Sequence, residues 1–219
     1  MFVKICGLTR VEDALQAAKL GATHLGFIFA DSPRRITAEM ATTIREALGQ
    51  AGFLKRVRTV GVFVNEQQES LLAIVKQAGL DLVQLHGDEA PEYTEGLHVP
   101  WYRALRINED NCAVLDVRPW VQPGGLLLAD TLTRGRYGGT GEQISVSAAI
   151  AVRHKVQEAG GRFVLAGGLN PENIGAAILK VRPDGVDISS GVEEKAGLKS
   201  VERLRALFSV LAPFQTGDL

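Results

Sequence analysis

The chain has 219 residues, of which 46% are hydrophobic and 22% charged, so it is long enough to bury the core of one large α/β domain. Its formal net charge of −1 gives no broad positive surface for nucleic acid or an anionic membrane. The two cysteines, Cys6 and Cys112, are too few for a disulfide framework and lack metal-ligand spacing. The sequence contains neither a signal-peptide core nor an apolar run of the ~18 residues that span a bilayer. We therefore expect a soluble, cytoplasmic protein without a bound metal.

Eight short apolar runs alternate with amphipathic segments along the chain. The runs that we predict to be strands are 2–6, 23–29, 58–64, 80–85, 100–106, 125–130, 162–166 and 184–188. Eight strand–helix units with parallel pairing and right-handed crossovers close an α/β barrel. An open doubly wound sheet is the alternative, but no glycine-rich dinucleotide motif follows the first strand. We predict a single-domain (β/α)8 TIM barrel with a parallel eight-stranded sheet over residues 1–211 and an irregular tail at 212–219.

Capping residues predict where several helices begin. The residues that we expect to open helices are Thr9, in a capping box with Glu12, then Thr37, Asn65, and Asn170 before Pro171. Two segments, 90–97 and 109–118, predict only weak helices because proline and glycine interrupt their apolar pattern. The last helix begins near Val201 and repeats apolar residues at helical spacing as far as Leu211.

Glycine-rich loops follow the last three strands of the predicted barrel. The carboxyl ends of parallel strands share one rim, so these loops lie together. Glycines beside helix amino termini let backbone N–H groups approach an anion and add the helix dipole, although any single glycine is also explained by a tight turn. The three loops together predict a phosphate site. Its expected residues are Gly138, Gly139, Thr140, Gly141, Gly167, Gly168, Ser189, Ser190 and Gly191.

Two side chains on the same rim are candidates for proton transfer. Cys6 ends the first strand, just before a helix whose positive end is expected to lower a thiol pKa and make a competent base. The alternative for Cys6 is a small buried apolar residue. Asp130 ends the apolar sixth strand, where a raised pKa would suit a general acid, and its alternative is a helix cap or loop salt bridge.

Several segments, in chain order from Lys4 to about Lys199, resemble the phosphoribosylanthranilate isomerase family. They include Lys4-Ile5-Cys6-Gly7, Ser32-Pro33-Arg34, Val83-Gln84-Leu85-His86-Gly87, Gly138-Gly139-Thr140-Gly141, Ala166-Gly167-Gly168-Leu169-Asn170 and Asp187-Ile188-Ser189-Ser190-Gly191-Val192-Glu193. The resemblance implies the step of tryptophan biosynthesis that converts N-(5′-phosphoribosyl)anthranilate to 1-(2-carboxyphenylamino)-1-deoxyribulose 5-phosphate, without metal or organic cofactor. It implies that Cys6 is the general base and Asp130 the general acid of this Amadori rearrangement. It also implies that Arg34 binds the anthranilate carboxylate, with Arg35 as the alternative.

Other polar residues complete the predicted rim. Lys4 faces the barrel interior with Cys6, and we expect it to pair with Asp187 on the neighbouring eighth strand. His86 either contacts substrate or is a hydrogen-bonded rim histidine. The residues expected to cover the site are Arg134, Arg136 and Tyr137.

Two alternatives to the isomerase remain at this point. One is the related histidine-pathway isomerase, a family that resembles this one but has aspartate where this chain has Cys6. The other is a catalytically silent phosphosugar-binding barrel. In each case the partner is a small phosphorylated molecule rather than nucleic acid or a membrane, and the chain is a monomer or a homodimer.

Overall fold

The computed structural model describes residues 1–131 and 145–215. Eight parallel strands close into a barrel in chain order, and the last strand pairs with the first. The strands are β1 (Phe2–Cys6), β2 (His24–Ile28), β3 (Arg58–Phe63), β4 (Leu82–Leu85), β5 (Trp101–Ile107), β6 (Leu126–Thr131), β7 (Arg162–Leu165) and β8 (Gly185–Ile188). The predicted (β/α)8 barrel is therefore confirmed, and the open doubly wound sheet is wrong.

Helices cover the outside of the barrel. Those that the structure describes are α1 (Val11–Leu20), α2 (Ala38–Gln50), α3 (Gln68–Ala78), α4 (Val146–Glu158), α5 (Ile174–Val181) and α6 (Val201–Gln215). After β4, a short 3₁₀ turn at Pro91–Gly96 stands where the pattern predicted a weak helix at 90–97. After β5, turns at 109–114 stand in place of the weak helix predicted at 109–118, and a 3₁₀ turn follows at Arg118–Trp120. Between β8 and α6, a small antiparallel hairpin is formed by β9 (Glu193–Lys195) and β10 (Leu198–Lys199).

The predicted helix starts are right at one position and wrong at another. The side chain of Thr37 accepts a hydrogen bond from the backbone N–H of Met40 at 3.3 Å, as a capping residue does. The capping box at Thr9 is wrong, because α1 begins at Val11 after Arg10, which makes no capping bond through its side chain. Thr9 instead donates its hydroxyl hydrogen to the carbonyl of Gly197 at 2.5 Å, so it ties the first loop to the hairpin.

The two asparagines predicted to cap helices lie in turns before them. Asn65 has a left-handed φ of 50°, and its Oδ1 accepts from the N–H of Asp88 at 2.7 Å. Asn170 accepts from the N–H groups of Glu172 and Asn173, each at 3.0 Å, which are the bonds of a capping residue, and Asn173 in return accepts from the N–H of Asn170 at 2.9 Å. The turn capped in this way precedes α5, which begins at Ile174, three residues later than predicted. The side chain of Asn65 bonds to the loop after β4 instead, and α3 begins at Gln68, two residues later than predicted.

The carboxyl-terminal helix runs past the end that its pattern predicts. It continues through Pro213 to Gln215, whereas residues 212–219 were expected to be irregular. The side chain of Gln215 donates to the carbonyl of Gly21 at 3.0 Å, which fastens this last turn beside the end of α1. Residues 216–219 lie outside the described part of the chain.

The core has two layers separated by the barrel wall. Side chains that pack inside the barrel include Val60, Tyr102, Ala104, Leu128, Val164 and Ala166, and a larger set fills the space between strands and helices. The alternation of side chains along each strand decides the layer. On β5, for example, Tyr102 points inward and Leu105 outward. A buried Leu or Ile contributes about 1.5–3 kcal/mol relative to an exposed one, so this alternation fixes the strand register that places the rim residues.

Candidate active site

A cavity of about 680 Å³ lies at the carboxyl ends of the strands, the end where barrel enzymes hold their chemistry. The described residues that line this cavity lie at or just after the carboxyl ends of almost all the strands. The lining residues are Cys6, Ile28, Ala30, Asp31, Ser32, Pro33, Arg34, Val62, Val64, Gln84, His86, Asp130, Ala166, Gly167, Gly168, Leu169, Asp187, Ser189 and Ser190. The structure therefore brings together most of the residues predicted for the site.

Cys6 and Asp130 reach this cavity because both occupy inward positions at strand ends. Cys6 is two residues beyond Lys4 on β1, and Asp130 is two residues beyond Leu128 on β6. Their exposed fractions are 6% and 7%. On neighbouring β2, a Cβ atom at Gly26 would lie 2.8 Å from Sγ of Cys6 and equally close to Cε of Lys4. Glycine at this position makes room for the inward side chains of β1.

Lys4 and Asp187 form the predicted ion pair across β1 and β8. The Nζ of Lys4 donates to Oδ2 of Asp187 at 2.7 Å, and the lysine side chain is fully buried. Burial disfavours the ammonium, but the charges of Asp187, Cys6 and Tyr102 and the hydrogen bond to Asp187 together outweigh it, so the pKa of Lys4 is raised. Within residues 1–131 and 145–215, Oδ1 of Asp187 has no hydrogen-bond partner, and this residue lines the cavity.

The electrostatics of Cys6 run opposite to the sequence prediction. Burial raises the pKa of the Cys6 thiol, although the ammonium groups of Lys4 and Lys199 act to lower it. The thiol form thus dominates at neutral pH in the structure. Once deprotonated, a thiolate in this environment is a stronger base than an exposed one.

His86 lies on the rim as a neutral, oriented ring. The hydroxyl of Tyr102 donates to Oε1 of Gln84 at 2.8 Å, which turns Nε2 of Gln84 toward Nδ1 of His86 at 3.2 Å. Nδ1 therefore accepts, and the ring hydrogen is on Nε2. Burial, with Lys4, Arg106 and Arg103, lowers the pKa of His86 to about 3. Its Nε2 lies 3.6 Å from Oδ2 of Asp130, so this contact joins a carboxyl group to a neutral imidazole and is no ion pair.

Arg34 lines the cavity and is held by a partner that the sequence did not reveal. Its Nε and Nη2 donate to the two carboxylate oxygens of Glu193 at 2.8–3.1 Å, and its exposed fraction is 9%. Arg35 is exposed and is not among the lining residues. Of the two adjacent arginines, Arg34 is the one presented to the cavity.

The loops after β7 and β8 lie side by side at the cavity wall. Gly167 and Gly168 both have left-handed φ values, of 90° and 61°, and they line the cavity with Ser189 and Ser190. Gly191 is not among the lining residues. A Cβ atom there would stand 1.9 Å from the carbonyl oxygen of Leu169, so Gly191 lets the two loops pack against each other.

Part of the predicted site lies outside the described residues. These positions are Gly138, Gly139, Thr140 and Gly141 of the predicted phosphate site, and Arg134, Arg136 and Tyr137 of the predicted cover.

A buried carboxylate braces the loops on the far side of the rim. Glu89 accepts from the N–H groups of Asn65 and Gly87, at 2.7 and 3.1 Å, and from the guanidinium of Arg103. Arg103 also donates to the carbonyl of Gly87 at 2.7 Å and lies over the ring of Trp120. The loops after β3 and β4 are therefore fixed before any ligand binds.

The part of the chain that the structure describes contains neither a metal-binding cluster nor a membrane-spanning helix. Among residues 1–131 and 145–215, no three or more His, Cys, Asp and Glu side chains are arranged to hold a metal ion. In the same part of the chain, no helix is long and apolar enough to cross a membrane.

A closed (β/α)8 barrel with a polar cavity at its carboxyl rim, lined by a thiol, a carboxyl group and a neutral imidazole, is typical of barrel enzymes. Residues 3–210 match the family model described as N-(5'phosphoribosyl)anthranilate (PRA) isomerase. The chain belongs to this family, and it is an isomerase.

Individual relatives are similar to this chain over nearly its whole length. The N-(5'-phosphoribosyl)anthranilate isomerase of Syntrophomonas wolfei is 41% identical over 209 residues, which cover 95% of this chain and 96% of the relative. The crystal structure of the Thermus thermophilus isomerase has a TM-score of 0.82 at 40% identity and covers 98% of this chain and 100% of that one.

A structure from the same family contains a ligand. It is described as a phosphoribosyl anthranilate isomerase in complex with reduced 1-(o-carboxyphenylamino)-1-deoxyribulose 5-phosphate. Its TM-score is 0.80 at 34% identity, and it covers 97% of this chain and 98% of that one. Another structure, from Thermotoga maritima, is described as monomers generated from a dimeric isomerase, with a TM-score of 0.80 at 33% identity and coverage of 97% and 98%.

Proposed function

We propose that this isomerase converts N-(5′-phosphoribosyl)anthranilate to 1-(2-carboxyphenylamino)-1-deoxyribulose 5-phosphate, with Cys6 as general base and Asp130 as general acid. The reaction belongs to tryptophan biosynthesis, where the family acts. One observation carries the assignment: a thiol and a carboxyl group face the same cavity from β1 and β6, three strands apart around the closed barrel. A substrate between them can meet an acid on one side and a base on the other.

The Amadori rearrangement needs one proton given and one taken. Asp130 in its protonated form gives a proton to the furanose ring oxygen, the C1′–O bond breaks, and the anthranilate nitrogen forms a Schiff base. The thiolate of Cys6 then removes the C2′ proton, and the electron pair moves to give an enolamine. Tautomerisation of the enolamine gives the C2′ ketone. The atoms balance without an oxidant, a reductant or a cofactor.

The rest of the cavity suits the two ends of this substrate. Arg34 presents a planar guanidinium, which binds a carboxylate through two parallel N–H donors, and we assign it to the anthranilate carboxylate. The loops at Gly167, Gly168, Ser189 and Ser190 offer backbone N–H groups and hydroxyls to the phosphate. His86 borders the reacting carbons beside Asp130, where its Nε2–H can donate to a sugar oxygen. We place the protein and its small-molecule substrate in the cytoplasm.

The test follows the loss of anthranilate-type fluorescence as phosphoribosylanthranilate, made in situ, is consumed by the wild type, Cys6→Ala and Asp130→Asn. We expect wild-type turnover and a fall of ~10²-fold or more in each variant. Cys112→Ala, which alters the other cysteine on the outer face, is the matched control and should keep full activity. Binding without conversion by the wild type would favour the silent phosphosugar barrel. Turnover of the larger histidine-pathway substrate alone would favour that isomerase instead.

Sedimentation velocity on the same preparation distinguishes a monomer from a homodimer, the two states that the sequence left open.

A further inference from the structure

The hairpin of β9 and β10 carries two buried charged side chains that reach back into the site. The exposed fraction of Lys199 is 2%. Its Nζ donates to the carbonyl oxygen of Cys6 at 2.6 Å, to the carbonyl oxygen of Ser189 at 3.0 Å and to Oε1 of Glu193 at 2.8 Å. Three acceptors use all three ammonium hydrogens, so this lysine fixes the backbone of the proposed base and of the loop after β8 together.

Glu193 links Lys199 to Arg34, the arginine that lines the cavity. Its carboxylate receives Nε and Nη2 of Arg34 and Nζ of Lys199, and the N–H of Gly197 lies 3.3 Å from Oε1. Burial disfavours the carboxylate, but the hydrogen bond from Arg34 and the charge of Lys199 outweigh it and hold the pKa of Glu193 below its ordinary value. Glu193 thus binds both side chains at once and links the position of one to the position of the other.

The hydrogen bonds of Arg34 show which edge of its planar guanidinium group is left to bind a ligand. Glu193 occupies the edge made by Nε and Nη2. A bidentate bond to a second carboxylate then uses the edge made by Nη1 and Nη2, and fixing the first edge decides where the second one points. Preorganised donors lose little conformational entropy when the ligand arrives.

We propose that Glu193 and Lys199 are positioning residues for the proposed reaction: Glu193 aims Arg34 at the anthranilate carboxylate, and Lys199 holds the Cys6 end of β1. This inference rests on the proposed function and extends it to two residues that touch neither reacting atom. Two further bonds anchor the hairpin to the first crossover, namely the hydroxyl of Thr9 to the carbonyl of Gly197 and the N–H of Lys199 to Asp13 at 3.0 Å.

The hairpin offers matched controls within six residues. Glu194 and Lys195 are exposed, whereas Glu193 and Lys199 are buried. Glu194→Gln and Lys195→Met thus repeat the same chemical changes away from the network. Each variant is measured with two substrates: phosphoribosylanthranilate, and its aniline analogue, which lacks the carboxylate that Arg34 binds. Product formation from both is followed by chromatography.

For Glu193→Gln we expect KM for phosphoribosylanthranilate to rise roughly 10-fold, as for the loss of a hydrogen bond to a charged group, with a much smaller change for the aniline analogue. For Lys199→Met we expect kcat to fall about 10-fold with both substrates, because the Cys6 backbone loses its anchor. The two control variants should match the wild type. Calorimetric binding of the reduced product analogue gives a second readout, and it should weaken in Glu193→Gln by the same factor as KM.

Equal losses with both substrates in Glu193→Gln would overturn its role through Arg34. An unchanged kcat in Lys199→Met would overturn the role assigned to the lysine. If Glu193→Gln does not fold, Glu193→Asp keeps the charge on a side chain one methylene shorter, and the same comparison of substrates applies. A wild type that converts neither substrate would overturn the proposed function itself, which separates the two failures.

Discussion

Replacing Lys4 by Met tests how the buried ion pair below the cavity serves both stability and catalysis. The pair is 2.7 Å long, Lys4 is fully buried, and the exposed fraction of the Asp187 side chain is 9%. Removing one partner leaves an uncompensated buried charge, which costs about 3–5 kcal/mol. For a chain of this size that predicts a fall in Tm of roughly 6–20 °C. A domain stable by about 5–15 kcal/mol remains folded at 25 °C in most of this range.

The same substitution should also impair the base. Lys4 acts to lower the pKa of the Cys6 thiol against the larger effect of burial, so its loss raises that pKa further. The thiolate fraction at pH 7–8 then falls, and we expect kcat/KM to drop while its pH profile moves to higher pH. Initial rates from pH 6 to 10, with the melting temperature of the same samples, measure both effects.

The double variant Lys4→Met with Asp187→Asn separates stability from catalysis. Removing both charges deletes the pair without leaving either ion buried alone, so most of the lost stability should return. Activity should return only in part, because loss of the Asp187 carboxylate removes one influence that raises the Cys6 pKa, but the ammonium that lowers it more strongly is still absent. Full recovery of activity together with stability would refute the electrostatic role of Lys4. An unchanged Tm and rate in Lys4→Met alone would show that Lys4 serves neither stability nor catalysis.

Three further predictions concern single features of the site. Because burial raises the pKa of Cys6, wild-type kcat/KM should increase with pH toward that raised pKa. Because the pKa of His86 is about 3, ionisation of this ring should not contribute to the profile between pH 5 and 8. Gly26→Ala should lower the free energy of unfolding by about 1–3 kcal/mol and reduce kcat, because the new Cβ would stand 2.8 Å from the Cys6 sulfur. Urea titration and steady-state rates measure the two effects, and a fully active, equally stable variant would contradict the prediction. Arg34→Lys should raise KM at least 10-fold, because lysine cannot make the two parallel hydrogen bonds that a guanidinium makes to a carboxylate. Arg35→Lys, at an exposed position, should leave KM unchanged. A larger rise in KM for Arg35→Lys than for Arg34→Lys would move the carboxylate site to Arg35.

The fold could be predicted because local patterns and barrel topology agree. Eight apolar runs fix the strands, and alternation along β1 and β6 already places Cys6 and Asp130 on the inner face. The pairing of Lys4 with Asp187 follows from the same alternation once β8 is known to lie beside β1.

The parts that the sequence did not reveal depend on contacts between distant segments. Glu193 lies 159 residues from Arg34 along the chain, and Lys199 lies 193 residues from Cys6, so no local pattern relates them. The direction of the Cys6 pKa shift was wrong for a similar reason, since the burial that dominates it comes from tertiary packing. The start of α3 was misplaced because the side chain of Asn65 bonds to the loop after β4, and the start of α5 was misplaced because Asn170 caps a turn that precedes the helix.

Deuterium placed at C2′ of phosphoribosylanthranilate shows directly whether Cys6 is the base. If Cys6 takes this proton, the wild type should release the label during turnover with a primary isotope effect on the rate. Asp130→Asn should slow both product formation and release, because the ring must open first, and Cys6→Ala should release no label above the buffer control. Release of deuterium by Cys6→Ala at the wild-type rate would contradict the assignment of Cys6 as the base.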